Sequence, residues 1–400
     1  MIGAVPTTSA NRLSPLRFVV AFGVVSLLAD FVYEGARSIT GPYLATLGAS
    51  ATVVGAVTGG GEAVALVFRL FTGRLSDRSG RHWLLSIAGY LITIVSVPVL
   101  ALTHALWQAS ALVVSERFGK AVRTPARDTM LAQAGVSLGR GWAFALHEAL
   151  DQSGALLGPL LVAGMVALSG YRLGFAVLVV PAVLAALALG RLRLAVPEPA
   201  VYERLEPHRA TKPPPPGGSG GRFSARFWLY AAFTALSMAG FATFGVLSYH
   251  LQVKHVISAP LIPVAYALAM GAAGLAALGS GRLYDRFGLR SLVIAPPLAA
   301  AVPFLSFSTT AALIWAGSFL WGAAMGVHES TMRAAVADLV PAARRGVGYG
   351  AFTAVYGLAW LAGATLIGAL YAHSISAATA FMVALQVAAL AALLPLALRR

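Results

Sequence analysis

Apolar runs of about 20 residues, each long enough to cross the hydrocarbon core of a bilayer, recur along the whole chain. They fall at 17–36, 51–72, 82–102, 106–124, 142–168 and 172–192, and again at 226–248, 260–281, 290–308, 311–333, 346–370 and 376–397. In lipid a segment must satisfy its own backbone hydrogen bonds, so runs of this length are helices. The expected fold is therefore an all-α membrane protein, with twelve transmembrane helices in two pseudo-symmetric six-helix bundles. Composition agrees: 58% of the 400 residues are hydrophobic and 11% charged, against about 25% charged in ordinary globular domains. The first run is followed by charge rather than by a small-residue cleavage site, so it reads as a retained helix.

A formal charge of +15 in a soluble protein would suggest a nucleic-acid partner. Here the basic residues cluster in the segments between runs, which is a topological pattern, and no nucleic acid is expected. Numbering the loops alternately puts Arg12, Arg17, Arg74, Arg78, Arg81, Lys120, Arg123, Arg140, Arg282, Arg286, Arg290, Arg344, Arg345, Arg399 and Arg400 on one side. Of the 29 basic residues, Arg37, Arg172 and Lys254 stand clearly on the other. The positive-inside rule then predicts a multi-pass protein of the cell (inner) membrane with both termini cytoplasmic. The stretch 193–225, with Pro213 to Pro216 followed by Gly217, Gly218, Ser219, Gly220 and Gly221, has little to bury and reads as a mobile cytoplasmic linker. It separates an N-terminal bundle, 1–192, from a C-terminal bundle, 226–400. With no cysteine in the chain, disulfides, thiolate metal sites and cysteine catalysis are excluded.

The halves repeat one another. Gly73-Arg-Leu-Ser-Asp77-Arg78-Ser-Gly80 returns as Gly281-Arg-Leu-Tyr-Asp285-Arg286-Phe-Gly288, an offset of 281 − 73 = 208. Ala143-Phe144 returns as Ala351-Phe352 at the same offset, and Arg127 has its counterpart 206 later at Arg333. A register kept over separate landmarks indicates duplication.

The loop Gly73-x-Leu75-x-Asp77-Arg78-x-Gly80-Arg81 resembles the signature loop of the major facilitator superfamily, and helix count, duplication, orientation and linker extend the resemblance over the chain. Within the superfamily it is similar to the twelve-helix, drug/proton antiporter-like subgroup. The resemblance implies that Asp77, and through the repeat Asp285, latches the halves on the cytoplasmic side together with Arg78, Arg81 and Arg286. Physically, Gly73 would let helix two approach a neighbour, Asp77 would sit near the positive end of a helix dipole, and the arginines would meet ion partners or anionic head groups. His82 and Leu289 depart from the basic residues of that pattern. Ser115-Glu116-Arg117-Phe118-Gly119 resembles the family's intramembrane arginine motif, which implies that Arg117 tunes a proton-binding carboxylate. Gly154-x-x-x-Gly158-Pro159 resembles the helix-five signature of proton-coupled exporters, although the same small-residue spacing serves plain helix packing.

A charge at the bilayer centre costs roughly 2.5 to 3.5 kcal/mol on insertion scales, so each embedded charge calls for a partner or a task. Asp30, Glu34 and Arg37 share one face of the first helix, Glu62 lies near the middle of the second with Arg69 further along, and Glu116 and Arg117 occupy the fourth. His147, Glu148, Asp151 and Gln152 lie in the fifth, and His328, Glu329 and Arg333 in the tenth. Some of these are expected to line a central cavity and exchange protons as the halves rock. The alternative is structural pairing, such as Asp30 with Arg37 or Glu329 with Arg333. Glu62, Asp151 and Glu329 are the preferred proton carriers, because they stand furthest from helix ends or from an obvious single partner. Among the aromatics Tyr33, Tyr43, Trp142, Tyr249, Tyr266, Trp315, Trp321, Tyr356 and Trp360, most read as interface anchors or packing, with Tyr356 and Trp360 assigned to the cavity.

His147-Glu148 and His328-Glu329 lack the second histidine four residues on that a metalloprotease helix needs, and no phosphate-binding Gly-x-x-x-x-Gly-Lys-Ser/Thr is present. Neither an enzyme nor an ATP-driven pump is expected, and no cofactor or resident metal. The reading is a monomeric secondary transporter in lipid, with a small molecule and protons as partners and efflux as its direction. An importer of a nutrient or divalent metal ion, or a receptor or lipid-handling protein on the same fold, stands as the alternative.

Overall fold

The computed structural model describes residues 13–205, 223–340 and 345–398. Among them the chain is helical, with no strand. The first part holds α1 (Pro15–Thr46), α2 (Ala51–Ser79), α3 (His82–Val99), α4 (Leu106–Leu138), α5 (Arg140–Ala176), α6 (Val179–Ala195) and the short α7 (Val201–Leu205). The second holds α8 (Ala225–Ala239), α9 (Phe244–Lys254), α10 (Leu261–Phe287), α11 (Ala295–Ser306), α12 (Ala311–Leu339), α13 (Arg345–His373) and α14 (Ile375–Leu398). Start and stop signals are local. Ser14 accepts the Arg17 N–H at 3.3 Å with Pro15 opening the first turn, and Ser50 accepts from Val53 at 3.3 Å; both are ordinary N-caps. Gly80 ends α2 at φ 60°, a conformation a side chain resists.

Nine helical segments of the described residues are long and apolar enough to cross a membrane, so the chain is a multi-pass membrane protein. Two exceed one crossing. Trp142–Ala195 runs 54 residues and breaks at Ser169 and Gly170, where the backbone leaves helical geometry, and Leu261–Ser306 runs 46 residues through a tighter 3-10 stretch at Gly288–Ile294. α4 is not among the nine, because Glu116, Arg117, Lys120, Arg123, Arg127 and Asp128 lie along it. Helices also outrun their sequence-predicted ends. α1 continues to Thr46, ten residues past the predicted end, and α4 continues to Leu138. Arg37 is thus inside α1 rather than in a loop, and Lys120 and Arg123 are inside α4, correcting their assignment to opposite loop sides.

The end of the molecule that carries Leu13, Ser79–Arg81 and Arg282 is called here the basic end, and the end with Leu47–Ser50 and Thr103–Ala105 the far end. α5 lies on α1 at backbone distance, since a Cβ at Gly154 would meet the Leu27 carbonyl and one at Gly158 the Phe31 carbonyl. Across the chain, α2 runs beside α13, with Gly55 against Ala364 at one level and Gly350 against Leu70 toward the basic end. At the far end α1 meets α9 where Gly41 faces the Gly245 carbonyl. Thr58 and Thr243 hydrogen-bond there at 2.7 Å, and the Tyr171 hydroxyl donates to Gln252. One aromatic and aliphatic core surrounds Phe241, Trp321 and Trp360 and takes in Ala51 and Leu66 of α2, and others surround Val32, Phe175 and Phe22.

The start of the presumed linker is docked. α6 continues to Ala195, the Val196 carbonyl accepts the Trp83 indole N–H at 3.0 Å, and the Tyr202 hydroxyl donates to the Leu13 carbonyl at 2.8 Å. Tyr202 packs on Phe18 with ring centroids 5.6 Å apart. Burial of these apolar groups explains why 193–205 is not free, and α8 takes in Ala225 at the other edge. The Pro/Gly tract itself lies outside the described residues, as do Arg12, Arg344, Arg399 and Arg400.

Candidate functional site

A helix places residues i, i+3, i+4 and i+7 on one stripe, and α1 spends such a stripe on Asp30, Tyr33, Glu34 and Arg37. All of these except Arg37, which is partly buried, are buried. α4 answers with Glu116, Arg117, Lys120 and Arg123, and α2 with Glu62. Arg37 sits 2.7 Å from Glu62 and 3.5 Å from Glu34; Arg117 sits 3.1 Å from Glu116 and 3.7 Å from Glu62. Arg123, 1% exposed, reaches Asp30 at 3.7 Å. Tyr33 stands at the centre: its hydroxyl donates to Asp30 at 2.8 Å and accepts from Lys120 at 2.9 Å. Its ring lies 4.4 Å from the Lys120 ammonium, and 5.5 and 5.4 Å from the Arg117 and Arg123 guanidiniums. Four cations and four carboxylates are thus interlocked inside the first half of the chain, each offsetting the desolvation of its neighbours.

The second half also reaches this network. Tyr266 on α10 donates its hydroxyl to Glu34, a contact between residues 232 positions apart. A cavity of about 30 Å³, room for ordered water, lies beside the network. Tyr33, Arg37, Glu62, Glu116 and Arg117 line it, with Thr243 and Gly245 from the opposite side. Buried polar atoms with no hydrogen-bond partner remain on Asp30, Glu116, Arg117 and Arg123, which is capacity for water or for a transported group.

The other embedded residues lie apart from this centre or at its edges. His147 is buried and its Nε2 bonds Ser26 at 2.8 Å, which in turn bonds Tyr90 at 2.8 Å. The Arg123 guanidinium lies 4.4 Å from the Tyr90 ring. Glu148 is exposed and accepts from Gln152 at 3.1 Å, while Asp151 keeps one buried oxygen without a hydrogen-bond partner. His147, Glu148 and Asp151 bring potential ligand atoms within 4.8 Å of one another. His328 is fully buried in the second half, its Nδ1–H donating to the Ala324 carbonyl at 2.6 Å and its Nε2 facing Ser237 at 2.9 Å. Gln386 donates to the Ser237 carbonyl at 2.8 Å in the same cluster. Glu329 is exposed, and the Arg333 side chain lies outside the described residues.

Several pairings differ from those expected. Asp30 pairs with Arg123, not Arg37, because Arg37 turns toward α2. Glu62 is held by two arginines, rather than standing free of partners. Trp360 is 1% exposed and its indole N–H donates to the Phe241 carbonyl at 2.9 Å, so it packs in the core of the second half; Tyr356 is buried against it with centroids 5.9 Å apart. Asp77 occupies the last turn of α2, the negative end of that dipole, and both Asp77 and Asp285 are exposed. Gly73 has nothing nearer its missing Cβ than Pro125 at 3.8 Å, and Gly281 has nothing within 4 Å, so neither serves close helix approach. Gly80 and Gly288 instead both terminate with positive φ. Sequence reading left four residues out of the site: Tyr33 and Tyr266 stood among the aromatics, most of which read as anchors or packing, and Lys120 and Arg123 among the loop charges. The spacing Glu116, Lys120, Arg123, Arg127 on one helical face was a usable signal for the α4 residues, whereas nothing in the sequence ties Tyr266 to Glu34.

Comparison with known proteins agrees with this architecture. The family model described as Major Facilitator Superfamily matches residues 22–295 and 229–400. An uncharacterized protein of Mycobacterium tuberculosis is 49% identical over 390 residues, covering 97% of this chain and 95% of the relative. An uncharacterized MFS-type transporter of Methanocaldococcus jannaschii is 28% identical over 145 residues, 36% of each chain. Among solved structures, a mutant of the nucleoside transporter NupG superposes with TM-score 0.74 at 15% identity, covering 94% of this chain and 99% of that one. A bacterial homolog of the human lysosomal transporter Spinster, inward-facing and occupied, gives 0.70 at 15% identity over 99% and 96%. The peptide transporter POT in complex with sulfate gives 0.72 at 15% identity over 95% and 93%. The multi-pass helical architecture, the buried charges at its centre and the match over nearly the full length lead to one conclusion: the chain belongs to the major facilitator superfamily.

Proposed function

We propose that this protein is a proton-coupled secondary transporter that exports a small organic solute by alternating access, acting as a monomer in the cell membrane with both termini cytoplasmic. The proposal includes twelve crossings in two six-helix halves, 1–192 and 226–400. The 54- and 46-residue segments supply two crossings each and α4 the remaining one. Drug/proton antiporters are the nearest functional analogy, through Arg117 and through Gly154 and Gly158, which seat α5 on α1.

One observation carries the reading: Glu34 is held at once by Arg37 of its own half and by the Tyr266 hydroxyl of the other. Rocking the second half away at the far end removes that donor and admits water, so Glu34 changes partners with each swing. A carboxylate whose hydrogen-bond set depends on conformation binds its proton differently in the two states, and that difference is what couples a proton gradient to transport. Arg117, reaching Glu62 and Glu116, keeps the surrounding charge balanced while the proton comes and goes. Glu329 and Arg333, on α12 beside His328, are the charged contribution of the second half to the solute pathway, and Tyr356 on α13 is its aromatic one.

The test is transport in proteoliposomes under an imposed pH gradient, with a panel that includes nucleosides and short peptides, the cargo of similar structures. Gradient-driven flux that Glu34→Gln abolishes supports coupling. Flux indifferent both to the gradient and to that substitution would overturn it, and movement of lipid between leaflets instead would favour the lipid-handling alternative.

A further inference from the structure

The outward face of α2 at the basic end carries a feature apart from the buried charge network. Phe71, Arg74, Leu75 and Arg78, spaced i, i+3, i+4 and i+7, line a groove of about 380 Å³. Phe71 is 58% and Leu75 52% exposed, and Phe68 beside them packs edge-on against Phe118 of α4 at 5.4 Å. At 100° per residue this stripe lies opposite Glu62 and Arg69, which face the interior, and between the stripes that meet α13 through Leu70 and α4 through Thr72. Among the described residues neither Arg74 nor Arg78 has an ion pair or a side-chain hydrogen bond, although both are exposed.

We propose that this groove binds an anionic phospholipid in the leaflet at the basic end, independently of the transport reading. Arg74 and Arg78, one turn apart, hold the head-group phosphate, and Phe71 and Leu75 receive an acyl chain. The order of the residues along the axis supports a lipid over a soluble anion. Arg78 is near the end of α2 at Ser79, while Phe71 lies seven residues deeper, about 10 Å at 1.5 Å per residue. With Arg78 outermost and Phe71 innermost, the stripe runs from charge to aromatic carbon, in the order that a phospholipid runs from head group to chain. Asp77, the nearest acid in sequence, lies about 60° round the helix from Arg74 and about 100° from Arg78, and among the described residues it makes no ion pair with either. Basic residues at that level attract anionic lipid, and guanidinium forks fit phosphate oxygens.

The experiment is native mass spectrometry of the full-length protein released from bilayer discs of equimolar phosphatidylglycerol and phosphatidylcholine. Wild type is expected to retain phosphatidylglycerol about thirtyfold over phosphatidylcholine, as two surface arginines would give, and the double variant Arg74→Gln/Arg78→Gln to lose that preference. The control Arg282→Gln/Arg286→Gln removes the same charge from exposed positions at the same end of the second half, and is expected to keep it. Equal retention of both lipids by wild type, full preference in the first variant, or equal loss in both variants would each overturn the proposal.

Discussion

Arg37 on α1 lies 2.7 Å from Glu62 on α2, and that pair joins two helices whose backbones make few contacts of their own near the site. Glu62 also meets Arg117 of α4 at 3.7 Å, so one carboxylate ties three helices through charge.

Glu62→Gln leaves buried Arg117 and partly buried Arg37 short of an anion. Breaking a buried pair this way costs about 3–5 kcal/mol, so a marked fall in thermal unfolding temperature is expected in detergent. The double variant Arg37→Gln/Glu62→Gln removes both members and should recover part of the loss. A cycle over the four proteins measures the coupling, and strict additivity would show that the pair carries no interaction.

Glycine substitutions should divide by position. Gly158→Leu drives a side chain into the Phe31 backbone and is expected to abolish stable insertion, because α5 cannot withdraw from α1 without opening the first half. Gly164→Leu on the same helix meets nothing within 4 Å and should leave yield and size-exclusion profile near wild type. Comparable damage from both would remove close packing as the explanation.

Tyr266→Phe deletes only the hydroxyl that reaches Glu34. Losing one such bond to a charged group is worth about 1.5–3 kcal/mol, which shifts a two-state equilibrium more than tenfold. Because the chain has no native cysteine, spin labels at Thr46→Cys and Ser258→Cys report the far end directly. A longer mean distance in the Tyr266→Phe background is expected, and an unchanged distribution would show that the bond does not hold the two parts together.

Tyr202→Ala removes the ring that packs on Phe18 and the hydroxyl that holds the Leu13 carbonyl. Trypsin cleavage at Arg204 should accelerate severalfold, since proteolysis follows local opening. Cleavage at the wild-type rate would mean that 193–205 is held by other contacts.

Much of this protein was readable without coordinates. Membrane residence and the succession of long apolar helices follow from runs of apolar residues. Each of those is local: a segment in lipid must satisfy its own backbone, whatever its neighbours do. Helix ends were less legible. Arg37, Lys120 and Arg123 read as loop residues because their charge looks costly inside a span, and only partners on other helices make it tolerable.

Those partners are what the tertiary structure decided. Whether Asp30 meets Arg123 depends on how α1 and α4 are set against each other, and turning α1 by one residue, 100° about the axis, would take Asp30 off the α4 face. The bond from Tyr266 to Glu34 depends further on the docking of one half against the other, across 232 residues of intervening chain. Periodicity shows which residues share a face. Only packing shows what that face meets, because the energy that selects the partner comes from desolvation and geometry at the contact, and neither is written in either segment alone.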